Sequence, residues 1–342
     1  MIPCFFHPDQ LAFKPVYEWA FGEKIDHPET TARAENILAA LKARPELFEM
    51  RAPKAQPLSA LRDAHNYNLL TLYNTARQLP EDETFYPSVF PRDPKTKGDP
   101  TTLRQAGCFC FDSGTPLNNR TFDAAAWSAA CAYEGARLLK KGEHPVVYAL
   151  SRPPGHHATK DHFGGYSYFN NSGIAARYLR RAGRVAVLDI DFHHGNGTQS
   201  MFYRDDKVLT ISIHGDPGEF YPFYCGFPNE TGSGRGEGYN LNFPLPTKIT
   251  FEEWMQTLEQ DALPAIENFA PDYLIVAAGF DTYRLDPIGD FEFFTADYTT
   301  LGARIAELGY PTLVVQEGGY YTPDLGANVA ALLEGTSRLY NF

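Results

Sequence analysis

The stretch VAVLDIDFHHGNG, Val185–Gly197, decides the fold, because an apolar run turns abruptly into packed carboxylates and imidazoles at its end. A run of β-branched and aliphatic residues reads as a buried strand of a parallel sheet, and in such sheets ligands bind beyond the carboxyl ends of the strands. Asp191 and His193 stand two positions apart, so their side chains leave one face of the strand and can grip one ion. Asp189 shares that parity. The competing reading is a solvated turn with scattered polar residues, but such turns rarely follow a fully apolar strand. The stretch therefore reads as a strand that ends in a metal site.

Working outward, similar apolar runs recur at Val146–Leu150, Val185–Ile190, Val208–Ile213, Tyr273–Ala278 and Thr312–Val315. Helix-patterned segments such as Phe122–Lys141 and Phe251–Phe269 lie between several of them. This α/β alternation predicts parallel pairing with helices on both faces, which puts every strand's carboxyl end on one side of the sheet. No internal repeat, low-complexity tract or linker-length break in composition divides the chain, so residues 1–342 are expected to form one domain. Regular structure is excluded only over Pro80–Gln105, where five prolines and mixed charges run for an unusual length. Its aromatic residues Phe85, Tyr86 and Phe90 favour a packed lid or subunit contact over a disordered insert.

Composition narrows the classes of function. In 342 residues, 43% hydrophobic content is ample for a core. A formal net charge of -12 argues against a nucleic-acid partner, which calls for basic patches, and agrees with a cationic ligand. The five cysteines, Cys4, Cys108, Cys110, Cys131 and Cys225, are odd in number and hold no C-x-x-C pair. Neither a disulfide framework nor a thiolate zinc site is indicated, and a reducing cytoplasm fits best. The segment MIPCFFHPDQ lacks a basic n-region, and no later run approaches the ~18 apolar residues of a membrane span. A soluble protein with no membrane partner is expected.

Three further clusters follow strands. After Val146–Leu150 comes Ser151-Arg152-Pro153-Pro154-Gly155-His156-His157, whose prolines and glycine fix the backbone and present adjacent imidazoles. Imidazole titrates near neutral pH, so a pair can hold different protonation states if each has a different partner, and Asp189 and Asn196 could be those partners. After Tyr273–Ala278 comes Asp281, a third metal ligand. Two aspartates and one histidine cancel the charge of a divalent ion and leave coordination open for water and a substrate carbonyl. Asp286, before Pro287, reads as a turn cap. After Thr312–Val315 comes Glu317-Gly318-Gly319-Tyr320, whose glycines let the backbone bend close to the ion and aim a phenol into the site.

The chain resembles the histone deacetylase and acetylpolyamine amidohydrolase family over nearly its whole length. The motifs are RPPGHHA at Arg152–Ala158, FGGYSYFNN at Phe163–Asn171, DIDFHHGNG at Asp189–Gly197, SIHGDP at Ser212–Pro217, GFDTYRLDP at Gly279–Pro287 and EGGY at Glu317–Tyr320. The segment HPETTARAE, His27–Glu35, is similar to the family's first-loop signature, with Arg33 at its arginine. The resemblance implies the arginase-like α/β fold: a single three-layer αβα domain around a central, mostly parallel eight-stranded sheet. It implies zinc on Asp191, His193 and Asp281, with Tyr320 polarising the scissile carbonyl. His157 matches the general base for the attacking water and then the acid for the departing amine, while His156, paired with Asp189, supports it electrostatically. Asn196 matches a position that some members fill with aspartate, and the neutral amide should leave His157 less basic. A structural potassium ion is implied at Asp189, Asp191, His193, Ser212 and Ile213, and a second at Phe202, Asp205, Val208 and Tyr239.

Gly165, Tyr166 and Tyr221 match positions lining a narrow acyl-amine tunnel, and Ile288 matches its rim. Aromatic walls suit an extended alkyl chain. The insertion at about residues 80–107 resembles the loop by which acetylpolyamine amidohydrolases form homodimers and narrow their entrance. A zinc-dependent hydrolase of small acetylated amines, such as acetylputrescine or acetylcadaverine, is therefore expected. The alternative is an acyl-lysine deacetylase acting on peptides or proteins. Arg104 falls where polyamine-selective members carry an acidic residue, and Asp99, Asp112 and Glu219 are candidates to meet a distal ammonium instead. A two-manganese ureohydrolase on the same fold is disfavoured, because Gly195 and Tyr283 stand where bridging carboxylates would be needed. A non-catalytic binder of acetylated amines is disfavoured because every ligand, both histidines and Tyr320 are present.

Overall fold

A computed structural model of the chain describes residues 1–93 and 95–337. The strands are β1 (Ile2–Phe5), β2 (Tyr17–Ala20), β3 (Glu23–Asp26), β4 (Phe48–Arg51), β5 (Val146–Ala149), β6 (Val185–Asp189), β7 (Val208–Gly215), β8 (Asn240–Leu245), β9 (Tyr273–Ala278) and β10 (Thr312–Gln316). The helices are α1 (Thr31–Lys42), α2 (Leu58–Ala64), α3 (Tyr67–Ala76), α4 (Thr121–Lys140), α5 (Asn171–Leu179), α6 (Asn196–Phe202), α7 (Phe251–Thr257), α8 (Leu263–Phe269), α9 (Thr295–Ala306) and α10 (Thr322–Ser337).

Eight strands form one sheet in the order β4-β1-β5-β10-β9-β6-β7-β8, and every pairing is parallel. β2 and β3 form a separate antiparallel hairpin. Successive side chains of a strand point to opposite faces, so a strand buried on both sides feeds two cores. Ala186 and Leu188 of β6, with Leu274 and Val276 of β9, join a cluster with α1 and α7–α10. Val185 and Val187, with Ile275 of β9 and Leu313 of β10, face the other way, into a cluster with α2–α6. Three layers follow from that alternation.

The five strands expected from apolar runs lie where those runs are, Tyr273–Ala278 with identical bounds. The helical pattern of Phe251–Phe269 is one helical path in three pieces: α7, a π-helical turn at Leu258–Ala262, and α8. Pro264 lacks the N–H that a regular α-helix would direct back one turn, which accounts for the local change of pitch. At the other end the Thr250 hydroxyl and Glu253 carboxylate form a reciprocal capping box.

Because all eight strands run the same way, β5, β6, β9 and β10 end side by side, and the chain leaving each forms one wall of a single site. The proline-rich insertion holds no strand or α-helix among its described residues before a short 3₁₀ turn at Leu103–Cys108. Phe85 packs on the second core, and Tyr86 stacks on Tyr17 of the β2–β3 hairpin at 4.4 Å while its hydroxyl donates to the Tyr17 carbonyl at 2.8 Å. Val89 and Phe90 remain exposed. Among the described residues, no helix is long and apolar enough to cross a membrane.

Candidate active site

Asp191 and His193 leave the end of β6, and Asp281 leaves the end of β9. Their ligand atoms all lie within 4.8 Å of one another. Both carboxylates are fully buried and held by backbone donors. Gly318 N–H donates to Asp191 Oδ2 at 2.8 Å, and Phe192 N–H donates to Asp281 Oδ1 at 2.9 Å. Nδ1 of His193 faces Asp281 Oδ2 at 2.9 Å and Asp191 Oδ1 at 3.4 Å. Burial and the nearby Asp191 carboxylate push Asp281 up to about 7. Two buried carboxylates forced together with one imidazole suit a divalent cation, which would relieve that repulsion; the N/O donor set with only three protein ligands fits catalytic zinc.

The histidine loop after β5 stands beside this cluster. Nδ1 of His156 lies 3.0 Å from Asp189 Oδ2, and Nδ1 of His157 lies 2.7 Å from Asn196 Oδ1, at the first position of α6. Burial alone would push His156 down, but the Asp191 and Asp189 carboxylates outweigh it and raise it well above the usual imidazole range. Burial, reinforced by His156 and His193, holds His157 well below that range. An amide oxygen only accepts, so His157 Nδ1 carries the proton and Nε2 keeps a free lone pair. A neutral base beside a charged partner is the result.

Tyr320 is buried, with its ring 4.7 Å from the Arg33 guanidinium and 5.7 Å from the Tyr166 ring. Burial keeps its phenol well above the usual range, so it stays a proton donor at neutral pH. Asp286 accepts from Ile288 N–H at 3.1 Å as a turn cap does, and also from Tyr320 N–H at 2.6 Å and Tyr321 N–H at 3.1 Å. Arg33 donates to the carbonyls of Gly319 and Glu317, and Glu29 bridges Arg33 and Arg152 at 3.0 and 2.8 Å. This buried ion cluster lies behind the tyrosine loop.

Of the residues expected to line a tunnel, Gly165 and Tyr221 meet the His157 ring, and Tyr166 stands beside Tyr320. Gly165 adopts φ +55°, and a Cβ there would sit 2.3 Å from the His157 ring. The Tyr221 ring meets His157 edge-on at 4.9 Å. Asp112 accepts from Gly165 N–H at 2.6 Å and from the Tyr221 hydroxyl at 2.9 Å. Tyr166, also at positive φ, donates its hydroxyl to Glu18 Oε1 at 3.0 Å. Ile288 is half-buried in the Asp286 turn. Asp99 is exposed and caps Thr101, and Glu219 and Arg104 are exposed, so none of the three shares these contacts.

Asp189 and Ser212 line a small space of about 10 Å³ with His194, Thr198, Gln199, Asn240 and Asn242. That is room for one water or ion. Asp191, His193 and Ile213 are neighbours of these residues in the chain and offer carbonyls. At the second place, Arg180 pairs with Asp205 at 2.7 Å, the Phe202 carbonyl accepts from Asp205 N–H, and the Tyr239 carbonyl accepts from Thr210 N–H, with Val208 opening β7.

Glu18, Glu29 and the side chain of Glu317 follow no motif spacing that would single them out in the sequence. The alternation of Tyr17, Glu18, Trp19 and Ala20 ahead of Phe21-Gly22 is a hairpin signal that would have put Glu18 on a defined face.

The histone deacetylase domain family matches residues 27–336. An acetylpolyamine amidohydrolase of Burkholderia pseudomallei is 40% identical over 98% of both chains, and that of Mycoplana ramosa is 38% identical over 92% of this chain and 94% of its own. The crystal structure of the acetylpolyamine aminohydrolase from Burkholderia pseudomallei superposes with a TM-score of 0.92, at 37% identity and 99% coverage of both chains. The HDA15 HD domain superposes at 0.81, with 28% identity, covering 97% of this chain and 87% of that one. With its strand-end cluster of carboxylates, imidazoles and a phenol, and with these relatives, the chain belongs to the histone deacetylase domain family.

Proposed function

We propose that the protein is a zinc-dependent amidohydrolase that releases acetate from small acetylated amines. The observation that carries the chemistry is the neutral, Nε2-basic His157 beside the Asp191–His193–Asp281 cluster. Zinc held there would polarise the scissile carbonyl and lower the pKa of water to about 7, within reach of an imidazole base. His157 Nε2 takes the proton of the attacking water, and Asn196 holds the imidazolium through Nδ1. His156, charged and paired with Asp189, fixes the electrostatics of the neighbouring ring. Tyr320 donates its hydroxyl to the oxyanion formed on the former carbonyl. His157 then returns its proton to the departing nitrogen, leaving an amine and acetate.

The substrate class rests on the relatives' names and on charge around the site. Glu18 and Asp112 line the approach to Tyr166 and Tyr221 and are not engaged by any Lys or Arg in an ion pair among the described residues. A cationic chain suits that surface. A potassium ion at Asp189, Ser212 and the carbonyls of Asp191, His193 and Ile213 would brace the loop behind the zinc ligands. The exposed Phe21, Val89 and Phe90, on the hairpin and the insertion that stacks on it, form the proposed homodimer contact. The test is kcat/KM of the zinc-loaded enzyme for acetylputrescine, acetylcadaverine, N8-acetylspermidine and an acetyl-lysine peptide. A hundredfold advantage for the small amines is expected; an advantage for the peptide would make the protein a lysine deacetylase.

A further inference from the structure

The histidine loop has left the sheet, so its backbone donors need other acceptors. Gly155 N–H and His156 N–H both donate to one oxygen, Oε2 of Glu317, at 2.7 and 3.0 Å. The other oxygen, Oε1, accepts from the Ser172 hydroxyl on α5 at 2.9 Å. Glu317 is completely buried, and its own backbone is fixed: its N–H donates to the Ala278 carbonyl of β9, and its carbonyl accepts from Arg33 at 2.5 Å. The loop lies flat on the start of α5, and the His156 carbonyl accepts from Gly197 and Thr198 N–H at 2.9 and 3.1 Å, so the Glu317 carboxylate sets the position of its N–H edge. A Cβ at Gly155 would come within 2.5 Å of Asn171 N and 2.6 Å of the Phe169 carbonyl oxygen.

We propose that Glu317 is a positioning residue for the reaction, clamping the backbone of the histidine pair so that His157 Nε2 meets the attacking water. The inference rests on the amidohydrolase reading. Asp189 and Asn196 fix the two rings only at their Nδ1 edges, and the position of the ring origins is left to the loop. Glu317 stands three residues before Tyr320, so one short segment places both the base, through its side chain, and the oxyanion donor, through its backbone. Displacement of a catalytic group by about 1 Å lowers rate by about a hundredfold. Loss of the clamp should therefore appear in kcat and leave substrate binding in place.

The experiment is steady-state kinetics on acetylputrescine for wild type, Glu317→Ala and Glu317→Gln, with zinc content and thermal midpoint measured on each. The expected result is a 10- to 100-fold fall in kcat for Glu317→Ala, with KM within about threefold and zinc retained. Glu317→Gln can turn its oxygen to the two N–H groups and its amide to the Ser172 oxygen, and it should recover kcat to within about threefold of wild type. Wild-type kcat in Glu317→Ala, or a loss confined to KM or to zinc content, overturns the role. If Glu317→Ala does not fold, Glu317→Asp decides. One methylene shorter, it cannot reach Ser172 and the loop together, so a tenfold or larger fall in kcat at constant KM is expected and a wild-type kcat overturns the role. A wild-type enzyme inactive on every acetylated amine would defeat the amidohydrolase reading itself; an active wild type with an equally active Glu317→Ala defeats only the clamp.

Discussion

Replacing Glu18 by glutamine should weaken selection for a cationic substrate, and the size of the effect follows from where the carboxylate sits. Glu18 is buried beside Tyr166, accepts one hydrogen bond from its hydroxyl, and is pushed up to about 7 by burial, with Asp112 adding repulsion. An ammonium brought within about 5 Å gains roughly 3 kcal/mol at an effective dielectric constant near 20, and water at the mouth reduces this. A tenfold to hundredfold preference is the expectation, read as kcat/KM for acetylputrescine over the neutral N-pentylacetamide. The pH dependence is sharper than the magnitude. The substrate amine titrates near 10, as a lysine does, so it stays charged between pH 6 and 8, and groups that act on both substrates alike, such as Asp281 at about 7, cancel in the ratio. The carboxylate is present above about 7 and lost below it, so the preference should rise with pH across that window in the wild type and stay flat in Glu18→Gln. A wild-type preference that is independent of pH, or one that survives the substitution, would refute the reasoning.

Three other outcomes are expected. Tyr320→Phe should lower kcat by about a hundredfold or more with zinc still bound, the amount lost with one oxyanion donor; undiminished turnover removes Tyr320 from the mechanism. His65 is buried and neutral, its Nδ1 donating to the Thr159 carbonyl at 2.8 Å and its Nε2 accepting Asn170 N–H at 2.9 Å, and burial lowers it from 6.5 to about 4. Its contribution is complete above pH 6.5 and lost as pH falls through 4, so urea unfolding should show about 3 kcal/mol of acid-sensitive stability that His65→Gln lacks. Equal pH slopes for the two proteins would dismiss that role. Phe21→Glu combined with Val89→Glu should give monomers by sedimentation velocity, and an intact dimer would remove these two exposed residues from the subunit contact.

The central strands were legible because burial on both faces leaves an unbroken apolar run, as in Val185–Leu188 and Tyr273–Ala278. β1 and β4 are four residues long, and β8 carries buried Asn240 and Asn242 and ends around Pro244, so none of the three produces such a run. The hairpin β2–β3 holds no buried residue beyond Glu18, so it lacks the apolar run that marks the central strands, and only its short alternation before Phe21-Gly22 signals it. In the site, the groups following a strand directly could be read: Asp189, Asp191, His193, the histidine pair, Asp281 and Tyr320. The residues that serve them could not. Glu317 reaches a loop 162 positions earlier, and Asp286 grips Tyr320 at a distance of 34 positions. Such carboxylates answer backbone N–H groups, which leave no trace in the sequence.

The sheet order has a consequence for biosynthesis. β10 lies between β5 and β9, so until residues 312–316 have left the ribosome, the molecule has only two half-sheets, β4-β1-β5 and β9-β6-β7-β8. Each half presents an unpaired, apolar edge to whatever else is nearby, the situation in which nascent chains associate wrongly or are held by chaperones. The metal ligands and the histidine pair belong to opposite halves, Asp191, His193 and Asp281 on one and His156 and His157 on the other. The strand that joins them also leads directly into Glu317 and Tyr320. The site is thus incomplete until one late five-residue strand has joined the two halves.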